Sequence, residues 1–285
     1  MSPRRPSRRS PMTEPISAAA HARTILAAHE HRRPIAPLTD WDPTLDLPAA
    51  YRVAEAVRVL RGERGERPVG YKIGFTNTTL WERYGVRAPI WGHVYDTTLR
   101  DRAALTGPVP LAAFVEPRIE PEIVFGLARA PEPGMDAEAL IACLDWAASG
   151  FEIVQSLYPG WRFAAPDTVA AFGLHGLLVV GERVRISPDA RSAWIGDLAG
   201  FTVDLLRDEA VADRGGGRCV LGTGPLAALA HLVDALANDP VAPPLAAGTV
   251  VTTGTLTDAL SVASGQRWRT RLDGLPLPGI DLALS

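Results

Sequence analysis

Cysteine is nearly absent: Cys143 and Cys219 are the only two in 285 residues, too few and too far apart for a disulfide framework or a zinc ribbon. They read as reduced thiols of a cytoplasmic protein. Long apolar runs are missing too, none approaching the ~18 residues that a membrane span requires. Nor does one sign of charge dominate, since 29 Lys and Arg against 32 Asp and Glu leave a formal net charge of −3. That balance supplies no global field for gripping nucleic acid. No G-x-S-x-G elbow, P-loop or C-x-x-C occurs. Val69-Gly70-Tyr71-Lys72-Ile73-Gly74 is not a dinucleotide fingerprint, because no helix-forming run follows it. What remains is 47% hydrophobic and 21% charged, the balance of a globular protein, long enough to bury a full-sized core and open to small substrates.

The opening MSPRRPSRRSPM is rich in Arg, Pro and Ser with no hydrophobic stretch behind it. It reads as part of a disordered tail over residues 1–14 and not as a secretory signal. Met12 is an alternative start, and an organelle transit peptide is the weaker reading. Alanine-rich stretches at helical spacing predict helices over Pro15 to Glu30 and Pro48 to Leu60, joined by a Pro- and Asp-rich loop. Residues 15–66 are therefore expected to form a small helical lobe.

From residue 67 to 285 the texture changes to short β-branched runs cut by Gly and Pro: VGYKIGF, RIEPEIVFGL, FEIVQSLY, LHGLLVVG, FTVDLL and GTVVTTGTL. Two long helical patterns interrupt them. One runs from about Asp136 to Ser149, with Leu140, Ile141, Leu144 and Ala148 on a stripe, Asp136 as N-cap and Gly150 as the stop; the other runs from about Pro225 to Ala237. Strands outnumber helices without alternating with them, which predicts an α+β fold and not a doubly wound parallel sheet.

Acidic residues stand where a strand-rich sequence has least reason to place them. In Arg118-Ile119-Glu120-Pro121-Glu122-Ile123-Val124-Phe125, strand alternation puts Glu120 and Glu122 on the same face, opposite Ile119, Pro121, Ile123 and Phe125. Two carboxylates so close repel unless a positive charge lies between them, and a hard cation such as Mg²⁺ prefers oxygen ligands. The alternative is a solvated face whose acids meet Arg118 or another base. Glu152, in Gly150-Phe151-Glu152-Ile153-Val154, either completes a three-carboxylate site or is a surface acid on an edge strand. Lys72 lies between Gly70 and Gly74 on one strand face, as expected of an amine facing a pocket, or of a surface lysine on an edge strand. Thr252 to Thr257, at a strand end, offers amides and hydroxyls for a carboxylate.

Taken together, IAPLTD (from Ile35), VGYKIGFTN (from Val69), PRIEPEIVFGL (from Pro117), FEIVQS (from Phe151), DTVA (from Asp167) and the GTVVTTGTLT ending resemble the 2-oxopent-4-enoate hydratase and 4-oxalocrotonate decarboxylase group of the fumarylacetoacetate hydrolase superfamily. The resemblance runs from about Ala19 to the end. It implies a fumarylacetoacetate hydrolase-like mixed β-rich fold with a helical N-terminal lobe. Glu120, Glu122 and Glu152 are implied to bind Mg²⁺ or Mn²⁺, Lys72 to shuttle a proton, and Gly254 and Thr255 to hold the substrate carboxylate.

The implied activity is hydration of a 2-hydroxy-2,4-dienoate or 2-oxo-enoate in aromatic-compound catabolism, by a homo-oligomeric metal-dependent hydro-lyase. Alternatives on the same site are decarboxylation or C–C hydrolysis of a 2-oxo (di)acid, or a non-catalytic partner subunit. Two stretches depart from the pattern. Where these hydratases usually carry an acid in Pro-Asp-Phe-Gly, this chain reads Pro89-Ile90-Trp91-Gly92. Where the family commonly reads DTVADNxS, it reads Asp167 to His175 as DTVAAFGLH. His175 is either a substitute base, since imidazole titrates near neutrality, or a histidine packed at a strand start. Gln155 stands where relatives carry Asp or a small residue, and Trp91, Phe172 and Leu174 suggest an apolar pocket.

Overall fold

The computed structural model describes residues 17–84, 86–239 and 241–285; the tail over 1–14, Met12 and the start of the first predicted helix lie outside them. Near the N-terminus, helices span Ala18–Glu30 and Leu47–Glu63, each opened by a side-chain cap, Ser17 on Ala20 N and Asp46 on Ala49 N. Their facing residues, among them Ile25, Leu26, Val53 and Val57, bury a cluster shared with Leu157, Val169 and Phe172 from later in the chain.

Two of the motifs are architectural. Asp167 of DTVA is fully buried, and its carboxylate accepts from Thr39 N at 3.0 Å and Thr39 Oγ1 at 2.7 Å, which fastens the IAPLTD loop. Ile35 N donates to Leu157 O at 2.8 Å.

Thirteen strands follow among the described residues, the first seven being β1 Pro68–Gly74, β2 Ile90–Tyr95, β3 Leu99–Asp101, β4 Arg118–Leu127, β5 Leu144–Val154, β6 His175–Val180 and β7 Val184–Arg185. Then come β8 Thr202–Arg207, β9 Ala210–Gly216, β10 Val250–Thr255, β11 Leu260–Ser261, β12 Arg267–Asp273 and β13 Asp281–Ala283. Nine form one sheet, in the order β2-β1-β10-β4-β5-β6-β3 with β11 beside β4 and β7 beside β5, which curls so that β2 approaches β6. The other four make a second sheet, β13-β12-β8-β9.

Alternate residues of β4 and β5 are claimed by different cores. Ile119, Phe151 and Ile153 pack against Trp268, Leu205 and Leu282 of the second sheet, and Ile123 and Phe125 pack beneath the helices. On the inner face of the curl, Val94, Val124, Ala148, Leu178, Val180 and Val250 form a dry plug. Strands buried on both sides are hydrophobic almost throughout, so any polar inner-face residue must find its partners inside.

The predicted α+β mixture is present, with two corrections. The helix expected over about Asp136 to Ser149 stops after Ala137–Ile141, although Asp136 does cap it, and Leu144 to Ser149 belong to β5, where Ala147 pairs with Phe125 and Gly150 with Glu122. Gly150 is thus a strand residue, and a Cβ there would meet Val124 at 2.6 Å. A helix over Arg191–Gly200 was not predicted from the sequence, whereas Pro225–Ala237 forms as expected.

His93 on β2 is buried within a ring of aromatics, 5.1 Å from Tyr71, 5.6 Å from Trp91 and 6.1 Å from Tyr95 between centroids. Burial pushes its pKa down to about 3. The unfolded chain therefore takes up a proton at this residue below pH ~6.5 that the folded one refuses, so stability falls with acidification from there towards pH 3, by up to ~1.4 kcal/mol per pH unit. His93→Phe is expected to lose less stability than the parent between pH 6.5 and 4.5 in urea titrations. Taking the difference between the two proteins cancels the carboxylates, and parallel profiles would refute the assignment.

Candidate active site

Four neighbouring strands, β1, β10, β4 and β5, bring the predicted residues together. Antiparallel register sets Glu120 directly opposite Glu152. β10 pairs with β4 with a bulge between Thr252 and Thr255, and β1 runs parallel to β10 with Lys72 level with Thr252. Glu120, Glu122 and Glu152 each offer an oxygen within 4.8 Å of the others. Glu122, Glu152 and Lys72 are 1%, 0% and 2% exposed, so neither a solvated face nor an edge strand describes them.

Glu122 and Glu152 are each fixed at one carboxylate oxygen. Glu122 Oε2 accepts from Gly254 N at 2.7 Å and from the Thr252 hydroxyl. Glu152 Oε1 lies 2.7 Å from His175 Nδ1, while Glu152 Oε2 faces Lys72 Nζ at 3.3 Å. Glu122 Oε1 and Glu152 Oε2 are buried without a hydrogen bond. Lys72 Nζ donates to Gly173 O at 2.9 Å.

Burial pushes Glu120 up to about 7 against the pull of Lys72, and holds Glu122 well above the carboxylate range, with Glu152 and Glu120 adding to the effect. For Glu152 burial is again the largest influence, yet Lys72 and His175 together keep it below the usual value. Burial likewise draws Lys72 down, and the three carboxylates outweigh it so that the ammonium is favoured. Three acids thus crowd one ammonium, and burial drives two of them towards the neutral form in the absence of a cation. An all-oxygen donor set with orphaned lone pairs is what a hard divalent cation requires, so the cluster can hold one.

Of the three acids Glu120 reaches a cavity of about 300 Å³, lined also by Lys72, Thr76, Asn77, Arg118 and Thr255, with Phe75, Ile90, Trp161, Phe163 and Leu174 as apolar wall and the exposed Asp258 and Ser261 completing it. Three of these wall residues, Phe75, Trp161 and Leu174, adopt positive φ of 56°, 57° and 65°, backbone strain of the kind that collects at active sites. The Arg118 guanidinium lies 4.0 Å over the Trp161 ring, and Trp161 Nε1 donates to Glu116 O at 3.0 Å.

Gly254, Thr255 and His175 lie close to the three acids. The Gly254 amide does hold a carboxylate, but that of Glu122, so it is already engaged; a Cβ at Gly254 would also meet Thr76 Oγ1 at 1.9 Å. Thr255 does lie on the cavity wall, its hydroxyl donating to Thr257 O at 2.9 Å. His175 is 3% exposed, and its two ring nitrogens meet Glu152 and Thr98, the latter at 2.9 Å. The ring meets Glu152 and is not among the residues that line the cavity. Of the expected apolar residues, Leu174 lines the cavity, while Phe172 packs in the helical core and Trp91 stacks on Tyr51 at 4.7 Å. Gln155 is structural, accepting from Val115 N at 3.1 Å.

Sequence reading missed Asn77, Trp161 and Asp258, which sit in turns and short connections, and Ser261, in the two-residue strand β11, too short for alternation to show. Among the described residues, no helix is long and apolar enough to cross a membrane.

Comparison with known proteins gives the same picture. No protein-family model matches the chain. It is 33% identical over 266 residues to 2-keto-4-pentenoate hydratase of Burkholderia vietnamiensis, spanning 93% of this chain and 97% of that protein. It is 30% identical over 253 residues to 4-oxalocrotonate decarboxylase of Pseudomonas putida, spanning 88% and 89%. The structure of 4-oxalocrotonate decarboxylase from Pseudomonas putida G7, complexed with magnesium and adipate, superposes with a TM-score of 0.84 at 27% identity over 94% of this chain and 97% of that one. With a third of its residues identical over nearly the whole of both chains, the chain belongs to the 2-keto-4-pentenoate hydratase family.

Proposed function

We propose that the chain is a divalent-metal-dependent hydratase that adds water to a 2-hydroxy-2,4-dienoate through its 2-oxo-enoate form, with Glu120, Glu122 and Glu152 as the metal's ligands and Mg²⁺ or Mn²⁺ as the metal. The observation that carries this is the three-carboxylate cluster, in which Glu122 and Glu152 are buried with one orphaned oxygen each and Glu120 lines a cavity beside Lys72. When bound, such a cation supplies Lewis acidity for a 2-oxo acid and stabilises developing enolate charge.

The chain's own residues do the rest. Lys72 Nζ, fixed by Gly173 O and Glu152, gives and takes the proton during keto-enol exchange. Thr255 and Asn77 offer polar contacts to the head of the substrate, while Phe75, Ile90 and Leu174 exclude water around its chain. Asp258, an exposed carboxylate of the cavity lining, is placed to orient the attacking water.

A second reading is decarboxylation of a 2-oxo diacid. It is favoured by Ile90, which puts an apolar side chain on the cavity wall where the hydratase pattern carries an acid. Incubation with 2-hydroxydienoates and 2-oxo diacids, with Mg²⁺ or Mn²⁺, is expected to consume a dienoate with a mass gain of one water. Loss of CO₂ from a diacid would transfer the assignment to the second reading, and no metal-dependent product from either class would remove both.

A further inference from the structure

The three carboxylates are not restrained in the same way. Glu122 is set by β10, through the Gly254 amide and the Thr252 hydroxyl. Glu152 has no such neighbour, because the residue level with it on β6 is Leu178. Its restraint comes instead from His175, at the start of β6, where a bulge between Ile153 and Val154 shifts the register.

The ring is locked at both ends. Tyr95 N donates to Thr98 Oγ1 at 3.1 Å, Thr98 Oγ1 meets His175 Nε2 at 2.9 Å, and His175 Nδ1 meets Glu152 Oε1 at 2.7 Å. With the ionised carboxylate as acceptor, Nδ1 is the donor. Thr98 belongs to the turn between β2 and β3, so the relay ties a metal-ligand candidate on β5 to a backbone amide of β2.

We propose that His175 is a positioning residue: through the Tyr95–Thr98–His175 relay it fixes the rotamer of Glu152 so that Oε2 is presented to the divalent cation. This rests on the metal reading above and deepens it. Two restraints define the carboxylate plane, His175 on Oε1 and Lys72 beside Oε2. Lys72 alone can be satisfied by either oxygen and by Gly173 O, so without the imidazole the carboxylate is free to rotate towards the ammonium and take Oε2 out of the cluster. Hydrogen-bond partners behind a metal ligand orient it, and their loss costs roughly 10- to 100-fold in metal affinity.

The test is Mn²⁺ affinity, measured by electron paramagnetic resonance and calorimetry on the full chain without substrate, together with the thermal midpoint of the metal-free protein. His175→Leu is expected to weaken binding roughly 10- to 100-fold. His175→Asn, whose amide N–H stands where Nδ1–H stood, is expected to restore most of it, and Thr98→Val to fall between. Leu and Asn variants equally impaired, or a Leu variant that binds like the parent, would overturn the proposal while leaving the metal site standing. A parent protein that binds no Mn²⁺ would overturn both. If the Leu variant does not fold, Thr98→Val decides: weaker binding supports the relay, and unchanged binding overturns it.

Discussion

Glu122→Gln is expected to abolish metal-dependent turnover and at the same time raise the thermal midpoint of the metal-free protein. Both effects follow from one charge imbalance. In the metal-free site three carboxylates share one ammonium, and Glu122, the acid most strongly pushed towards its protonated form, carries an orphaned oxygen. An uncharged amide keeps an acceptor for Gly254 N and the Thr252 hydroxyl, and turns the orphan into a donor towards the remaining acids. Relief of a buried unsatisfied group is worth ~1–3 kcal/mol.

The same change removes an anionic ligand. Several kcal/mol of transition-state charge stabilisation goes with it, which is ~10³-fold or more in turnover at ~1.4 kcal/mol per decade. Thermal melts with and without Mn²⁺ separate the two terms. The parent should gain ~2.7 kcal/mol at a hundredfold excess over Kd, and the variant should gain nothing. A variant still stabilised by Mn²⁺ like the parent would remove Glu122 from the ligand set.

Lys72→Met reverses the pattern. The ammonium is buried between Glu152 and Gly173 O, so its loss leaves the acids without the ammonium that pairs with them. Breaking a buried pair in this way costs ~3–5 kcal/mol, and the metal-free protein should lose stability on that scale. Loss of the proton-transferring amine should lower turnover by ~10²–10⁴-fold. Mn²⁺ affinity, by contrast, should be retained or increased, because the cation no longer competes with an ammonium 3.3 Å from Glu152 Oε2. Loss of metal binding in this variant would mean that Lys72 holds the site together and does not work on substrate.

The acidic cluster was legible because strand alternation is a rigid rule. Glu120 and Glu122 stand two apart in an unbroken apolar run, and Lys72 stands two from each of its flanking glycines, so their faces followed from spacing alone. The false helix over Asp136 to Ser149 has the opposite origin. Leu144, Ala147 and Ala148 are buried on both faces of β5, and a doubly buried strand of small residues imitates a helical stripe over a few turns. Pairing with Phe125 and Val124 decided the outcome, a tertiary effect invisible in a single segment. His175 could be flagged as unusual but not assigned, because its role depends on Thr98, 77 residues earlier in the chain.

The parallel pairing of β1 with β10 also sets a schedule for the growing polypeptide. Glu122 waits for Gly254, 132 residues downstream, and at 5–20 residues per second that interval is roughly 7 to 26 s of translation. Throughout it β1 and β4 lack the strand that belongs between them, and their edges stay open to mispairing. The ionised carboxylates of Glu120 and Glu122 on β4 are expected to act as gatekeepers against aggregation during that interval, until β10 pairs with both strands.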